Sequence, residues 1–323
     1  MKIQRLVFPD KGRCEVEEVQ LDEKLEPNQA LLKTKVTLIS AGTELAMFTR
    51  SHRGFDEPNF GYAKYPFKPG YLAVCEVVAS NGGIKPGTLV NSWTPHATFV
   101  KESIDSLVPV PDGLNPEHAA FLGLAGVSMT SIRMAPAVAG AHVVVIGMGI
   151  VGNLCAQLYG ITGAGVVAGT DLSEKRLAKA SACGIGKVFC TANKPLVECV
   201  KELGPRGAEW VIEAVGNSRT IADALKAVAD RGKVVLLGSP RTKMEIDPYF
   251  DIHVKGISII GAHGRNVADT KRADSFLLLE WIRSGKLRVA PLITQHMPMA
   301  EGLKGFEGLR DKTDEFLGVI LTY

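Results

Sequence analysis

The six cysteines of this 323-residue chain, Cys14, Cys75, Cys155, Cys183, Cys190 and Cys199, form no C-x-x-C pair and no framework spacing. That excludes a disulfide-stapled scaffold and a C-x-x-C metal or redox motif. Scattered cysteines of this kind read as small buried apolar residues in a reducing compartment. Long hydrophobic runs are missing as well. No stretch approaches the roughly 20 apolar residues of a membrane span, and Met1–Phe8 reads as a short amphipathic strand rather than a signal peptide. The expectation is a cytoplasmic protein with no membrane partner. Nor is there an excess of one charge: 37 Lys and Arg are interspersed with 34 Asp and Glu, for a net charge of +3. Without a basic stripe to neutralise phosphates, no nucleic-acid partner is expected. What is present, 46% hydrophobic and 22% charged residues, describes an ordinary globular chain long enough for two domains.

Two patterns divide the chain. Residues 1 to about 122 alternate β-branched runs with Gly and Pro turns, at Ala30–Ile39, Gly70–Ala79, Thr88–Trp93 and Ala97–Lys101, which reads as an irregular, mostly β domain. From about 124 to 288, strands near 142–146, 166–170, 187–190, 209–213, 233–238 and 257–261 alternate with helices near 150–162, 173–182, 194–203 and 219–230. Ser173 stands as an N-cap. Six strands so spaced fit the two mononucleotide-binding halves of a doubly wound parallel sheet. The last stretch, Pro291–Tyr323, returns to strand, helix and strand and is expected to rejoin the first domain. The predicted fold is therefore α/β, with domains 1–123 plus 289–323 and 124–288.

The most informative local feature is Ala141-His142-Val143-Val144-Val145-Ile146-Gly147-Met148-Gly149-Ile150-Val151-Gly152, a buried strand running through G-x-G-x-x-G into a helix. The first glycine permits the tight turn, the second lets backbone reach a pyrophosphate, and the third lets helix and strand pack closely. The helix N-terminus adds partial positive charge. A second strand, Gly165–Thr170, ends in Asp171, about twenty residues past Gly152, where a carboxylate can accept hydrogen bonds from an adenosine ribose.

A β-rich domain, a dinucleotide domain and a short return resemble, in that order, the medium-chain dehydrogenase/reductase superfamily. Gly42-Thr43-Glu44 is similar to its Gly-Thr-Asp turn and Pro69-Gly70-Tyr71-Leu72 to its Pro-Gly-His-Glu. Glu213-Ala214-Val215-Gly216 and Leu236-Leu237-Gly238-Ser239 are similar to its later cofactor-contacting strand ends. Ile39–Glu44 is also similar, over a short span, to the bacteriochlorophyllide dehydrogenase subgroup. The resemblance implies a Rossmann domain beside a GroES-like catalytic domain. It implies a cofactor set of Ser128, Gly147, Gly149, Ile150, Val151, Gly152, Asp171, Leu172, Arg176, Val215, Gly238, Ser239 and His263. It also implies a homodimer paired through the strand near Ile257–Gly261.

The chain departs from the family at zinc. Ala41 stands where zinc-dependent members carry Cys, Tyr71 where they carry His, and the third ligand position falls near Leu124. Ala, Tyr and Leu do not make a catalytic zinc set. The structural zinc lobe needs four close cysteines, and none lies between Cys75 and Cys155. The expectation is no zinc; the rival is a metal site rebuilt from Glu44, His52 and His96.

Hydrogen-bond donors must then replace the Lewis acid. By resemblance Thr43 sits between the nicotinamide ribose and the substrate, or else it only caps its turn. Tyr71 either points its phenol into the former metal cavity or packs as a core aromatic. His96, on a turn entering a strand, is a candidate acid–base group. The stretch 50–71, with Arg50, His52, Arg53, Phe55, Phe60, Tyr62, Lys64, Tyr65 and Phe67, either clasps a polar substrate or packs on its own aromatics. His263 is near the nicotinamide by resemblance, or is an edge residue. Glu174, Lys175 and Arg176 read as a solvated helix face, although Arg176 can reach a phosphate. Asp171 repels a 2′-phosphate and Leu172 offers no cation, so NAD is expected over NADP. The expected function is zinc-independent, NAD-dependent interconversion of a secondary alcohol and a ketone on a small polar metabolite, sugar- or cyclitol-like. The alternatives are quinone or enone reduction and a cofactor-binding protein without catalysis.

Overall fold

The computed structural model describes residues 1–57 and 61–323. In chain order the strands are β1 (Lys2–Val7), β2 (Glu15–Gln20), β3 (Gln29–Leu38), β4 (Ala73–Ser80), β5 (Leu89–Ser92), β6 (Phe99–Ser103), β7 (Val108–Pro109), β8 (His142–Ile146), β9 (Val166–Asp171), β10 (Lys187–Cys190), β11 (Ala208–Glu213), β12 (Val228–Leu236), β13 (Ser258–Gly261), β14 (Ile293–Pro298) and β15 (Gly318–Thr322). Two units result. One comprises Met1–Gly123, Ser275–Arg283 and Leu292–Tyr323; the other comprises Leu124–Asp274 and Ser284–Pro291. Relative to the expected 124–288 span, residues 275–283 group with the first unit and 289–291 with the second.

The second unit holds a six-stranded sheet in the order β10-β9-β8-β11-β12-β13, every pairing parallel. This is the doubly wound α/β arrangement. All five residues of β8 are buried, as a central parallel strand covered on both faces requires. Strand order reverses between β8 and β11, so the crevice at their carboxyl ends is the ligand position of such a sheet. Helix Ile150–Ile161 follows β8, and helix Glu174–Ala182 follows β9. Ser173 Oγ caps the latter by accepting from Arg176 N at 3.4 Å. β12 starts five residues before the expected 233. Val228 already turns extended at ψ 139°, ending helix Ser218–Ala227, and Arg231 at φ 60° absorbs the irregular register opposite Ala208–Trp210. Three extra residues on β12 at this break leave no period for a sequence pattern to reveal.

In the first unit, β1 and β2 pair as an antiparallel ribbon. A larger seven-stranded sheet runs β14-β15-β3-β4-β5-β7, with β6 pairing β3. β15 joins β3 antiparallel, Ile320 opposite Leu38, so the returning segment does rejoin this unit. Its core contains Leu6, Phe8, Ile39, Met47, Phe48 and Phe306, all at 0% exposure. Phe306 packs edge-on to Phe8 at 4.9 Å and stacked on Phe48 at 5.5 Å. This core shapes the site above it. Positions 44, 47 and 48 share one face of helix Thr43–Phe48, so burying Met47 and Phe48 carries the Glu44 carboxylate inward with them.

Among the described residues of 50–71, aromatics pack on one another. Tyr62 meets Phe67 at 5.5 Å and His52 at 6.1 Å, Phe55 meets Tyr65 at 5.0 Å, and the Arg50 guanidinium lies 5.3 Å over Phe55. Phe60 lies outside the described residues. Five of the six cysteines are buried, and Cys190 is half-buried.

Candidate functional site

The glycine-rich turn is cut to fit a group it does not itself supply. Gly147 sits at φ +93°, and a Cβ there would come within 2.6 Å of Val215 Cγ2. A Cβ on Gly152 would stand 1.8 Å from Gly147 O, which is the close packing the third glycine permits. Gly149 differs: its φ is −64° and nothing lies within 4 Å of a built Cβ. Gly149 therefore keeps its own backbone accessible rather than relieving a clash. It is the N-cap of the helix opened by Ile150, Val151 and Gly152, and no side chain caps that end. Open space beside uncapped N–H groups at a helix N-terminus suits a diphosphate.

Asp171 faces the same turn. Its Oδ2 accepts from Met148 N at 2.7 Å and its Oδ1 from Ser173 N at 2.9 Å, while Arg176 Nη1 lies 3.9 Å from Oδ2. The carboxylate thus braces the turn as well as standing where a ribose would need an acceptor. Leu172 beside it is 63% exposed. Beyond β11, Gly216 and Gly238 bring the two later strand ends together: a Cβ on Gly216 would meet Ser239 O at 2.4 Å, and one on Gly238 would meet Gly216 N at 2.5 Å. Val215 is exposed there. Sequence reasoning missed the residue that organises this corner. Glu213, fully buried, accepts from Val215 N at 2.8 Å, Gly216 N at 2.8 Å and Thr220 Oγ1 at 2.7 Å. The available signal was an acid closing the otherwise apolar Trp210-Val211-Ile212, three residues before Gly216. Ser128 is fully buried, its hydroxyl donating to the carbonyls of Leu124 and Val151 at 3.0 and 2.9 Å. His263 is exposed just past β13, its Nδ1 accepting from Arg265 N at 3.2 Å. The residues present fit a dinucleotide.

In the first unit, the polar residues converge on Ser40. Tyr71 donates its hydroxyl to Ser40 Oγ at 2.6 Å, and Thr43 N donates to the same oxygen at 3.4 Å. The Thr43 side chain is near enough to the phenol to favour its ionised form. Burial, with the Glu44 charge nearby, pushes the Tyr71 phenol up to about 12, so it remains a neutral hydroxyl throughout the physiological range. Thr43 and Tyr71 are each half-buried, whereas Ser40 is 2% exposed. His96 lies deeper, at 0% exposure, with Nε2 on Glu44 Oε2 at 2.8 Å and Nδ1 on Thr37 Oγ1 at 2.7 Å. A general acid or base must reach its reactant; the fold commits both His96 nitrogens to the interior. Beside Tyr71, a small cavity is also lined by Leu72, Asn91, Ser92, Trp93 and Gly123. Asn91 Oδ1 and Ser92 Oγ are buried there without a protein partner.

The positions that the resemblance gives to zinc ligands hold Ala41 and Tyr71 and fall near the buried Leu124. This donor set does not fit zinc, which takes thiolate, imidazole or carboxylate. Of the rival set, Glu44 and His96 bond each other, while His52 Nδ1 accepts from Gly54 N at 3.0 Å. Among the described residues no three His, Cys, Asp or Glu side chains are grouped to hold a metal. Among them, too, no helix is long and apolar enough to cross a membrane.

Comparison with known proteins matches residues 151–279 to a family described as zinc-binding dehydrogenase. L-Threonine 3-dehydrogenase of Bacillus licheniformis is 30% identical over 215 residues, which are 66% of this chain and 61% of that protein. The chain thus matches about three fifths of the length of that relative. Among solved structures, a putative zinc-binding dehydrogenase from Sinorhizobium meliloti bound to NADP aligns with TM-score 0.84 and 18% identity, covering 100% of both chains. L-Idonate 5-dehydrogenase from Escherichia coli aligns with TM-score 0.85 and 18% identity, covering 100% of this chain and 99% of that one.

Proposed function

We propose that this chain, which belongs to the medium-chain dehydrogenase/reductase superfamily, is a zinc-independent, NAD-dependent oxidoreductase interconverting a secondary alcohol and a ketone on a small polar metabolite. The observation that carries the reading is the hydroxyl cluster Thr43, Tyr71 and Ser40, which the motif resemblance aligns with the zinc-ligand region of zinc-dependent members. A bound nicotinamide supplies hydride chemistry; this chain's residues must bind it and manage the proton on the reacting oxygen. Gly149 and the first turn of helix Ile150–Ile161 would take the diphosphate, and Asp171 the adenosine ribose. Asp171, still an acceptor, favours NAD by repelling a 2′-phosphate.

Thr43 is the outer hydroxyl of the cluster and leans on Tyr71, which in turn donates inward to Ser40. Hydroxyls aligned in that direction leave the Thr43 oxygen able to accept a hydrogen bond from a substrate alcohol, and the reversed alignment donates to a ketone. Tyr71 acts as a neutral phenol rather than a phenolate, since its ionisation is displaced upward. Asn91 Oδ1 and Ser92 Oγ, unpaired beside Tyr71 in a cavity of about 10 Å³, suit a single bound water rather than a substrate group. The names of the threonine and idonate dehydrogenases support alcohol–ketone chemistry. β13 ends the parallel sheet as an edge, with Ile259 39% exposed, which supports edge pairing in a homodimer; a monomer at micromolar concentration in sedimentation would contradict that.

The test is to mix protein and NAD(H) with a panel of alcohols, ketones, quinones and enones, following reduced-nicotinamide absorbance. Turnover confined to alcohols and ketones is expected. Turnover confined to quinones or enones would replace the reading with double-bond reduction. Absence of turnover together with NADH binding would replace it with a non-catalytic cofactor-binding role.

A further inference from the structure

The polar interior of the first unit forms one hydrogen-bonded chain that runs from Tyr323 through Thr37 and His96 to Glu44. Among the described residues, the Tyr323 hydroxyl has one hydrogen-bond partner, Thr37 Oγ1 at 3.0 Å, so its hydrogen points there. Thr37's own hydrogen is then left for His96 Nδ1, at 2.7 Å. An imidazole whose Nδ1 accepts is neutral and carries its hydrogen on Nε2. That nitrogen lies 2.8 Å from Glu44 Oε2, and Glu44 Oε1 takes the Ser40 N–H at 3.1 Å. Ser40 Oγ in turn takes the Tyr71 hydroxyl at 2.6 Å. From Tyr323 the hydrogens run one way to the buried Glu44 carboxylate, which holds the Ser40 backbone, and Ser40 Oγ meets the Tyr71 hydroxyl.

Burying Glu44 at 1% exposure within an aromatic and aliphatic core is an expensive way to fill space, because apolar residues of similar volume are as stabilising or more so. What the carboxylate adds is direction. We propose that His96, Glu44 and Ser40 are positioning residues: the chain holds His96 as the neutral Nε2–H tautomer, and Glu44, by accepting the Ser40 N–H, places Ser40 Oγ against the Tyr71 hydroxyl. The aiming role rests on the reading that Tyr71 serves the reacting oxygen, whereas the direction of the chain does not.

Two measurements on the full-length protein separate those parts. ¹⁵N NMR of histidine-labelled protein is expected to show one solvent-protected neutral imidazole with its hydrogen on Nε2. In Glu44→Gln that hydrogen should move to Nδ1: the Ser40 N–H retains the amide oxygen, so the amide NH₂ faces His96. A ring protonated on Nδ1 or on both nitrogens in the parent would overturn the chain. Kinetically, Ser40→Ala should lower turnover about tenfold with NADH affinity within about twofold, because it acts on one hydrogen bond to a donor. Added to Tyr71→Phe, it should cost less than about a further twofold, since both changes break the same bond. Parent-rate turnover in Ser40→Ala, or a full second loss in the double variant, would overturn the positioning role. Should no substrate of any class be turned over by the parent, the enzyme reading fails, and the NMR result alone still decides the direction of the chain.

Discussion

At the turn after β8 the proposed binding surface is backbone, whereas around Tyr71 it is side chain. The turn works by what is left out: Gly152 cannot carry a Cβ because Gly147 O would lie 1.8 Å away, while Gly149 has room for one and still has none. The Tyr71 cluster works by what is put in, with Ser40, Glu44 and His96 each buried and each satisfied by a named partner. The difference predicts how each tolerates change. A backbone site fails sterically, through folding or through lost approach of the ligand. A side-chain site loses one hydrogen bond at a time and keeps its fold.

The largest effect follows from the glycines. Gly152→Ala should destabilise the protein by about 3 kcal/mol or more, as overpacking against rigid backbone does, seen as a lowered thermal midpoint. Gly149→Ala should leave that midpoint within a few degrees and weaken NADH binding about ten- to hundredfold, the worth of a charge-assisted backbone hydrogen bond. Equal stability losses in the two variants would erase the distinction drawn here between packing and approach.

Asp171→Ala sharpens the comparison because Asp171 braces Met148 N and is also the acceptor proposed for the ribose. It should weaken NAD binding about tenfold, as loss of an ionised acceptor does, and improve the relative use of NADP with Arg176 nearby. An unchanged NAD-to-NADP preference in steady-state kinetics would remove Asp171 from the ribose.

The smallest effect is general to the interior hydroxyls. Burial raises the phenols of Tyr71, Tyr159 and Tyr323 above their ordinary value of 10.0, Tyr71 to about 12. An acid whose folded-state ionisation is displaced upward contributes stability that is intact below its unfolded value and declines as pH rises toward the folded one. Thermal midpoints should therefore be level to about pH 9 and fall from about pH 10 upward. A flat profile to about pH 11.5, accompanied by normal tyrosinate absorbance, would contradict the burial argument.

The backbone site was legible because its signals are local. The apolar run of β8, the glycine spacing and the distance to Asp171 lie within one strand–helix–strand segment, and each has a steric meaning that survives without the rest of the fold. The side-chain site joins residues 52, 59 and 286 positions apart, and no period marks such pairs. His96 read as an acid–base candidate on a turn entering a strand; its burial beside Phe306 involves a segment some 200 residues later. Glu44 belonged to a recognised turn, but its inward direction needed Met47 and Phe48 to be core. The sequence suggested Tyr71 by its place in a Pro-Gly motif, while the acceptor of its hydrogen, Ser40, carried no signal at all. The stretch 50–71 was balanced between clasp and self-packing, and its described aromatics pack on one another.

The central claim is that hydroxyls of the first unit manage the reacting oxygen, and turnover of Thr43→Val and Tyr71→Phe tests it most directly. With NADH affinity measured alongside, each variant should bind the cofactor near normally and turn over at least about tenfold more slowly than the parent, a cautious fraction of what removing one oxyanion donor costs. Parent-rate turnover in both variants would contradict the account and place the catalytic donor elsewhere.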